Sequence, residues 1–133
     1  MGWVTFEVRT DHRAQLLDIT EKVASAVKRA GVADGTCHVF IPHTTAGVTI
    51  NEGADPDVAR DIEAQLAEMV PKDGGYRHGE GNSDSHIKTA LIGPACIAPV
   101  RGGRLALGHW QSIFLCEWDG PRTRHIDVAV SAL

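Results

Sequence analysis

Basic residues are in short supply in this chain, and their scarcity excludes one class of function. The 133 residues include 13 Lys and Arg against 17 Asp and Glu, which gives a formal net charge of −4. Proteins that bind nucleic acids rely on a surplus of Lys and Arg to neutralise phosphates. The composition therefore argues against a nucleic-acid partner.

Long apolar runs are also absent. No stretch of the sequence approaches the roughly 18 consecutive apolar residues that a membrane-spanning helix needs. The N-terminal segment MGWVTFEVRT has neither the basic start nor the apolar centre of a signal peptide. We therefore expect no membrane partner and a cytoplasmic location.

Cysteine pairs and glycine-rich phosphate motifs are missing as well. Cys37, Cys96 and Cys116 are far apart and form no CxxC pair, which disfavours a zinc ribbon, a dithiol redox centre or a disulfide framework. We interpret all three as small buried apolar residues. Without a GxGxxG or P-loop motif, the usual dinucleotide and Walker-type nucleotide sites are not expected either.

The hydrophobic patterning that is present predicts an α+β domain. An amphipathic helix is expected over residues 19–30, stopped by Gly31, and a second over 56–69, with Asp55 as its N-cap. Short β-branched or alternating segments predict strands at 4–9, 37–41, 48–51, 95–100, 105–107, 112–117 and 125–130. We expect one domain over residues 1–133, with largely antiparallel, β-sandwich-like sheets and two main helices.

The first polar segment suited to chemistry follows a predicted strand and extends to the end of the next one. It contains a histidine, small hydroxyl residues, an amide and a carboxylate, namely His43, Thr44, Thr45, Asn51 and Glu52. Side chains of these types can line a polar pocket.

The second such segment is rich in glycine and contains His78, Asn82, Asp84, His86 and Lys88. His43, His78 and His86 together can bind a divalent metal and leave a position open for water. Spacing alone leaves two alternatives open: general acid–base catalysis by a histidine that Asp84 or Glu52 orients, and ordinary surface roles for the histidines.

Two further candidates lie in the C-terminal half. Trp110 and Gln111 interrupt an apolar run, and Trp110 belongs either to the core or to a binding site. Arg122 and Arg124 are placed in a turn, where the alternatives are a solvated surface and bidentate phosphate binding.

The order of these motifs resembles one known family. The motifs are His43-Thr-Thr-Ala-Gly-Val-Thr-Ile-Asn-Glu52, Asp55-Pro56, His78, Ser85-His-Ile-Lys88 and Gly108-x-Trp-Gln111. In this order they resemble the YjbQ family of secondary thiamine-phosphate synthases over essentially the whole chain. One position departs from the family pattern, since His109 stands where threonine is common.

The resemblance implies a compact fold that assembles as a homotrimer, with sites near subunit boundaries. It also implies a transferase of thiamine biosynthesis, weak or secondary in activity, which joins hydroxymethylpyrimidine pyrophosphate to hydroxyethylthiazole phosphate. A metal at His43, His78 and His86 is implied too, with zinc expected first and magnesium as the alternative beside a pyrophosphate substrate.

In that reaction the expected catalytic residues are Asn51, Glu52, Asp84 and Lys88. The residues expected to bind the phosphorylated substrates are Thr44, Thr45, Asn82, Trp110, Gln111 and Arg122. Lys88 and Arg122, with the cation, would stabilise the leaving pyrophosphate. Two alternatives stay open: a metal-dependent hydrolase of a small substrate, and a non-catalytic trimer that binds a metal or small ligand.

Overall fold

The computed structural model describes residues 2–133, and Met1, the first residue of the predicted domain, lies outside the described residues. The described residues form eight strands and three helices in the order β1 (Val4–Arg9), β2 (Gln15–Asp18), α1 (Thr20–Ala30), β3 (Gly35–Phe40), β4 (Ala46–Glu52), α2 (Pro56–Met69), α3 (Ser83–Ile92), β5 (Ala95–Arg101), β6 (Arg104–Leu105), β7 (Gln111–Glu117) and β8 (Thr123–Ala132).

The strands form two antiparallel sheets. Sheet A has the strand order β1-β8-β3-β5-β6, and sheet B has the order β2-β7-β4. Val39 lies opposite Val128 in sheet A, and Val48 lies opposite Leu115 in sheet B. These apolar residues share one core with the buried face of α1. The predicted α+β fold of a single domain with antiparallel, sandwich-like sheets is confirmed.

The first two helices lie where the sequence predicts them. Gly31 ends α1 with a φ of 69°, a left-handed conformation that glycine adopts without a steric penalty. The side chain of Asp55 accepts the main-chain N–H of Asp57 and so caps α2. The longest helix, α2, has 14 residues, and in the described residues no helix is long and apolar enough to cross a membrane.

The sequence does not predict the third helix, α3, whose first residues belong to the glycine-rich segment that contains Asp84 and His86. Its buried residues are polar, namely Asp84, Ser85, Lys88 and Thr89. Hydrophobic periodicity therefore gives no signal for this helix, because its inward face carries no apolar stripe. The short strand β2 was not predicted either, since its residues are only half-buried or exposed.

The cysteines are free thiols, as predicted. Cys37 and Cys116 are buried as predicted, whereas Cys96 is only half-buried. Burial raises the pKa to about 11 for Cys37 and Cys96 and to about 12 for Cys116. These thiols stay protonated near neutral pH, so they are poor nucleophiles and poor metal ligands.

Candidate active site

A cleft of about 360 Å³ lies where the β3–β4 loop, the start of α3 and the start of β8 meet. We define the cleft by the residues that line it, which are Pro42, His43, Thr44, Thr45, Glu80, Asn82, His86, Asp119, Arg122 and Arg124. Predicted site residues from three separate segments of the sequence therefore share one cavity.

The protonation of His43 follows from one hydrogen bond. The main-chain N–H of His125 donates to Nε2 of His43 over 2.9 Å. Since Nε2 accepts, the neutral ring carries its proton on Nδ1, and an imidazolium would place a second N–H against the N–H of His125. Burial, together with the nearby Arg124 and His125, lowers the pKa of His43 below its ordinary value. His43 is therefore a neutral hydrogen-bond donor.

Arg124 lines the cleft but is almost fully buried, with only 4% of the residue exposed. Its Nε donates to Oε1 of Glu117 over 2.8 Å, and its Nη2 donates to Oε2 of Glu117 and to Oγ1 of Thr45. Glu117 also accepts from the hydroxyl of Thr10 and from the N–H of Asp119. Burial alone would raise the pKa of Glu117, but the hydrogen bonds from Arg124, Asp119 and Thr10 outweigh it and lower that pKa.

Two N–H groups remain free to bind a ligand in the cleft. Within residues 2–133, Nη1 of Arg124 and Nδ1 of His43 have no hydrogen-bond acceptor. The buried side-chain polar atoms that lack partners in this part of the chain are Oδ1 of Asn82, Oγ1 of Thr89 and Nε1 of Trp118, and neither Nη1 of Arg124 nor Nδ1 of His43 is among them. Nη1 and Nδ1 are therefore accessible, and both belong to residues that line the cleft.

Asp119 links the second guanidinium group of the cleft to the start of α3. Arg122 donates from Nε to the carbonyl of Asp119 over 2.8 Å and from Nη2 to Oδ2 of Asp119 over 3.1 Å. Asn82 donates to the same Oδ2 over 2.9 Å, so its side chain does not cap α3. The carbonyl of Asn82 accepts the N–H of Ser85 over 3.0 Å, but its side chain caps none of the first N–H groups of α3. A helix N-terminus favours a nearby negative charge.

Asp84 and Lys88, predicted as catalytic, are buried and are not among the residues that line the cleft. Arg13 donates from Nη1 and Nη2 to the two carboxylate oxygens of Asp84 over 3.1 and 3.0 Å, and Lys88 Nζ donates to Oδ2 over 3.1 Å. Burial alone would raise the pKa of Asp84, but the hydrogen bonds from Arg13 and Lys88 outweigh it and hold that pKa at about 2. Asp84 therefore contacts two cations and orients no histidine.

A second cavity, of about 610 Å³, borders the cleft. We call it the loop cavity, and its residues are Gly75, Tyr76, Arg77, His78, Ser83, His86 and Ile87. The rings of His78 and His86 meet edge to face with their centroids 5.6 Å apart. His86 lines both cavities, whereas His78 lines the loop cavity and not the cleft.

The predicted metal site at the three histidines is not formed. Nε2 of His43 is occupied by the N–H of His125, and His78 lies in the other cavity. Across residues 2–133, no group of three or more His, Cys, Asp or Glu side chains is placed to hold a metal ion. His43, His78 and His86 therefore do not fit the expected zinc ion. Magnesium beside a pyrophosphate substrate stays a prediction.

The remaining predicted residues lie at the opposite end of β4 from His43. These residues are Asn51, Glu52, Trp110 and Gln111. Glu52 on β4 lies opposite Gln111 on β7, and Asn51 and Trp110 are their neighbours in the sequence. The strand from Ala46 to Glu52 is roughly 20 Å long, at about 3.3 Å per residue. Within one chain these side chains therefore do not reach the cleft, and their roles stay predictions.

Local contacts explain the placement of two of these distant residues. Oε2 of Glu52 accepts the main-chain N–H of Ala54 over 2.7 Å, and Oε1 of Gln111 accepts that of Gly108 over 2.8 Å. Trp110 is 60% exposed, which excludes the core alternative for its side chain. Within residues 2–133, Glu52 forms no hydrogen bond or ion pair with a histidine, so it does not orient one.

Known proteins similar to this chain form one group. A family model for UPF0047 protein YjbQ-like chains matches residues 4–132. A UPF0047 protein of Methanocaldococcus jannaschii is 44% identical over 125 residues, covering 94% of this chain and 91% of that protein. The UPF0047 protein YugU of Bacillus subtilis is 43% identical over 121 residues, covering 90% of this chain and 92% of that protein.

Solved structures agree with the sequence comparison. A YjbQ/UPF0047 protein of Clostridium acetobutylicum superposes with a TM-score of 0.94 at 48% identity, covering 96% of this chain and 99% of that one. A hypothetical protein of Aeropyrum pernix gives a TM-score of 0.94 at 37% identity, with both chains fully covered. A similar protein of Sulfolobus solfataricus is described as being of unknown function.

These findings correct the functional expectation and confirm the family. The relatives are known as UPF0047 or YjbQ-like proteins, and none of them is described as a thiamine-phosphate synthase or a transferase. The expected role in thiamine biosynthesis is therefore wrong. The two metal-dependent alternatives, a hydrolase and a metal-binding trimer, are wrong as well. Both need a metal-binding group of histidines, and the described residues do not form one. What the match over residues 4–132 does establish is that this chain belongs to the YjbQ/UPF0047 family.

Proposed function

We propose that the cleft binds a small phosphorylated molecule and promotes proton transfer on it. The observation that carries this proposal is the hydrogen bond from the N–H of His125 to Nε2 of His43. It fixes a neutral imidazole with an accessible Nδ1–H on a residue that lines the same cleft as Arg124, whose Nη1 is free.

The proposed role of His43 is to stabilise negative charge on a substrate oxygen. A donor that the protein has already oriented stabilises developing charge without reorganisation. The lowered pKa of His43 supports this role, because the ring stays neutral at neutral pH and donates only from Nδ1. The same hydrogen bond removes His43 as a general base, since its lone pair already faces the N–H of His125.

Arg124 is proposed to hold the phosphate group together with the N-terminal end of α3. Arg122 and Arg124 already have the carboxylate partners Asp119 and Glu117. The cleft therefore has little net positive charge, and we expect directed hydrogen bonds to supply most of the affinity. Asp119 and Glu80, which also line the cleft, are acceptors suited to a hydroxyl or amino group of the same molecule.

His86 is the proposed proton acceptor. Its ring lines the cleft, and no hydrogen bond within residues 2–133 fixes either ring nitrogen. An imidazole nitrogen without a fixed partner can accept a proton from a bound substrate. The proposed pair thus consists of a fixed donor, His43, and a free acceptor, His86.

Histidine NMR on the ¹⁵N-labelled chain tests this proposal. We expect Nε2 of His43 to be unprotonated and Nδ1 to be protonated at pH 7, and we expect inorganic phosphate to shift the Nδ1 resonance. A protonated Nε2, or a spectrum that phosphate leaves unchanged in every histidine, would contradict the proposal.

We also propose that the chain assembles as a homotrimer, as the resemblance implies. Support comes from the outer face of sheet A, where Trp3, Phe40 and Ile97 are exposed. The ring of Trp3 lies 6.5 Å from that of His38, whose strand neighbour is Ile97. Large apolar side chains grouped on one face are typical of an association surface.

A further inference from the structure

We infer that the ligand has two parts, an anionic group that binds in the cleft and a flat apolar body that lies in the loop cavity. This inference rests on the proposed function and adds the class of substrate to it. Its basis is His86, the one residue that lines both the cleft and the loop cavity as the described residues define them.

The two cavities meet at the ring of His86. A phosphate group held by Arg124 and His43 occupies the side of His86 that faces the cleft. The loop cavity on the other side has a volume of about 610 Å³, within the range of roughly 300 to 1,000 Å³ that small-molecule sites occupy. A ligand larger than its phosphate group therefore has space to extend past His86.

Tyr76 gives the loop cavity a pre-positioned aromatic surface. Its hydroxyl donates to the carbonyl of Pro71 over 2.7 Å. A Cβ atom added at Gly74 would lie 2.5 Å from Cζ and from Oη of Tyr76, so the ring rests directly against that glycine. Because the hydroxyl is already engaged, the ring offers a ligand its apolar surface, and little side-chain entropy remains to be lost on binding.

Ile87 supplies a second apolar contact. It follows His86 on α3 and is exposed, although it is a large aliphatic residue. A flat ring between Tyr76 and Ile87 would bury apolar surface against both side chains, which favours binding. Arg77 also lines this cavity, and its guanidinium can stack on an aromatic face.

These contacts specify an aryl phosphate as the ligand class. The phosphate binds to Arg124 and His43, and the aryl group binds between Tyr76 and Ile87. The bond that joins the two parts then lies beside His86, the proposed proton acceptor.

Calorimetric titration of the full chain with inorganic phosphate and with phenyl phosphate tests this inference. We expect phenyl phosphate to bind at least about tenfold more tightly, because burial of one aromatic ring commonly contributes that much. Tyr76→Ala and Ile87→Ala should each remove most of this advantage and leave the affinity for inorganic phosphate unchanged.

Two control variants separate the aryl contact from general effects on the loop and on α3. Tyr76→Phe keeps the ring but loses its hydrogen bond to Pro71, and it should keep most of the advantage. Leu91→Ala removes an exposed side chain one helical turn beyond Ile87 and should also keep it.

The outcomes distinguish this inference from the proposed function. If inorganic phosphate binds but phenyl phosphate binds no better, or if its advantage survives in Tyr76→Ala and Ile87→Ala, the two-part ligand is wrong while the anion site stands. If neither compound binds, the anion site itself is wrong and the two-part ligand fails with it.

Discussion

The hydroxyl of Thr10 donates to Oε1 of Glu117 over 2.8 Å and accepts the main-chain N–H of Arg122 over 2.9 Å. One buried side chain from the end of β1 thus supports both the carboxylate that holds Arg124 and the backbone that carries Arg122. These contacts join residues separated by 107 and 112 positions in the sequence.

Replacement of this hydroxyl should destabilise the fold. Thr10→Val keeps the shape of the side chain but leaves the N–H of Arg122 without its partner, and we expect a loss of about 2 kcal/mol in the free energy of unfolding. Thr5→Val is a matched control, because Thr5 lies on β1 and makes an exposed hydrogen bond to Asp127. Urea denaturation of both variants measures the difference, and equal losses would contradict the structural role of Thr10.

Asp84 should make the fold sensitive to acid. Its pKa of about 2 lies below the ordinary value of 3.8, so the ionised carboxylate stabilises the folded state at all pH values above the ordinary pKa. This contribution, about 2 kcal/mol, is lost as pH falls from about 4 to 2. Denaturant unfolding between pH 7 and pH 2 should show the loss.

Asp84→Asn tests the same group at neutral pH. The amide leaves Arg13 and Lys88 without their anion, and we expect a destabilisation of about 3 kcal/mol at pH 7. The variant should lose less stability than the natural chain on acidification, because one titrating group is gone. Asp57→Asn is the control, since Asp57 forms an exposed pair with Arg60, and its effect should stay within about 1 kcal/mol.

Two substitutions of His43 separate its donor from its acceptor. The amide of His43→Asn places an N–H near the position of Nδ1, whereas the amide of His43→Gln reaches the position of Nε2 and can accept the N–H of His125. If Nδ1–H binds the ligand, phosphate affinity should fall about tenfold in His43→Gln and less in His43→Asn. The reverse order, measured by calorimetry, would show that the acceptor side of the ring matters instead.

The proposed trimer can be checked by mass. Light scattering coupled to size-exclusion chromatography should give about three times the chain mass of 14.3 kDa. Ile97→Glu places a charge on the outer face of sheet A, where Ile97 is 62% exposed, and should shift the mass towards one chain without loss of folded structure. A single-chain mass for the natural sequence would refute the trimer.

Much of the fold follows from local sequence signals. Gly31 and Asp55 mark helix ends by backbone conformation and capping, and alternating apolar residues predict most strands of both sheets. α3 escapes such prediction because its inward residues are polar and are satisfied by distant partners. Asp84, for example, pairs with Arg13 across 71 positions.

The candidate site was only partly predictable for the same reason. His43, Asn82, His86 and Arg122 stand out as polar residues beside predicted strands and turns, and the fold brings them together. Arg13, Thr10 and Glu117 carry no local signal, since each acquires its role from contacts with residues far away in the sequence.

The polar underside of α3 makes the cleft separable from the rest of the molecule. Apolar packing holds the two sheets and α1 together, whereas ionic and hydrogen-bonded contacts hold the first turns of α3. Acid weakens the second kind of contact far more than the first, because it protonates Asp84, whose pKa is held at about 2 by these contacts. Amide exchange should therefore report α3 opening as its own unit, so that ligand capture can cease in a chain whose core is still fully native.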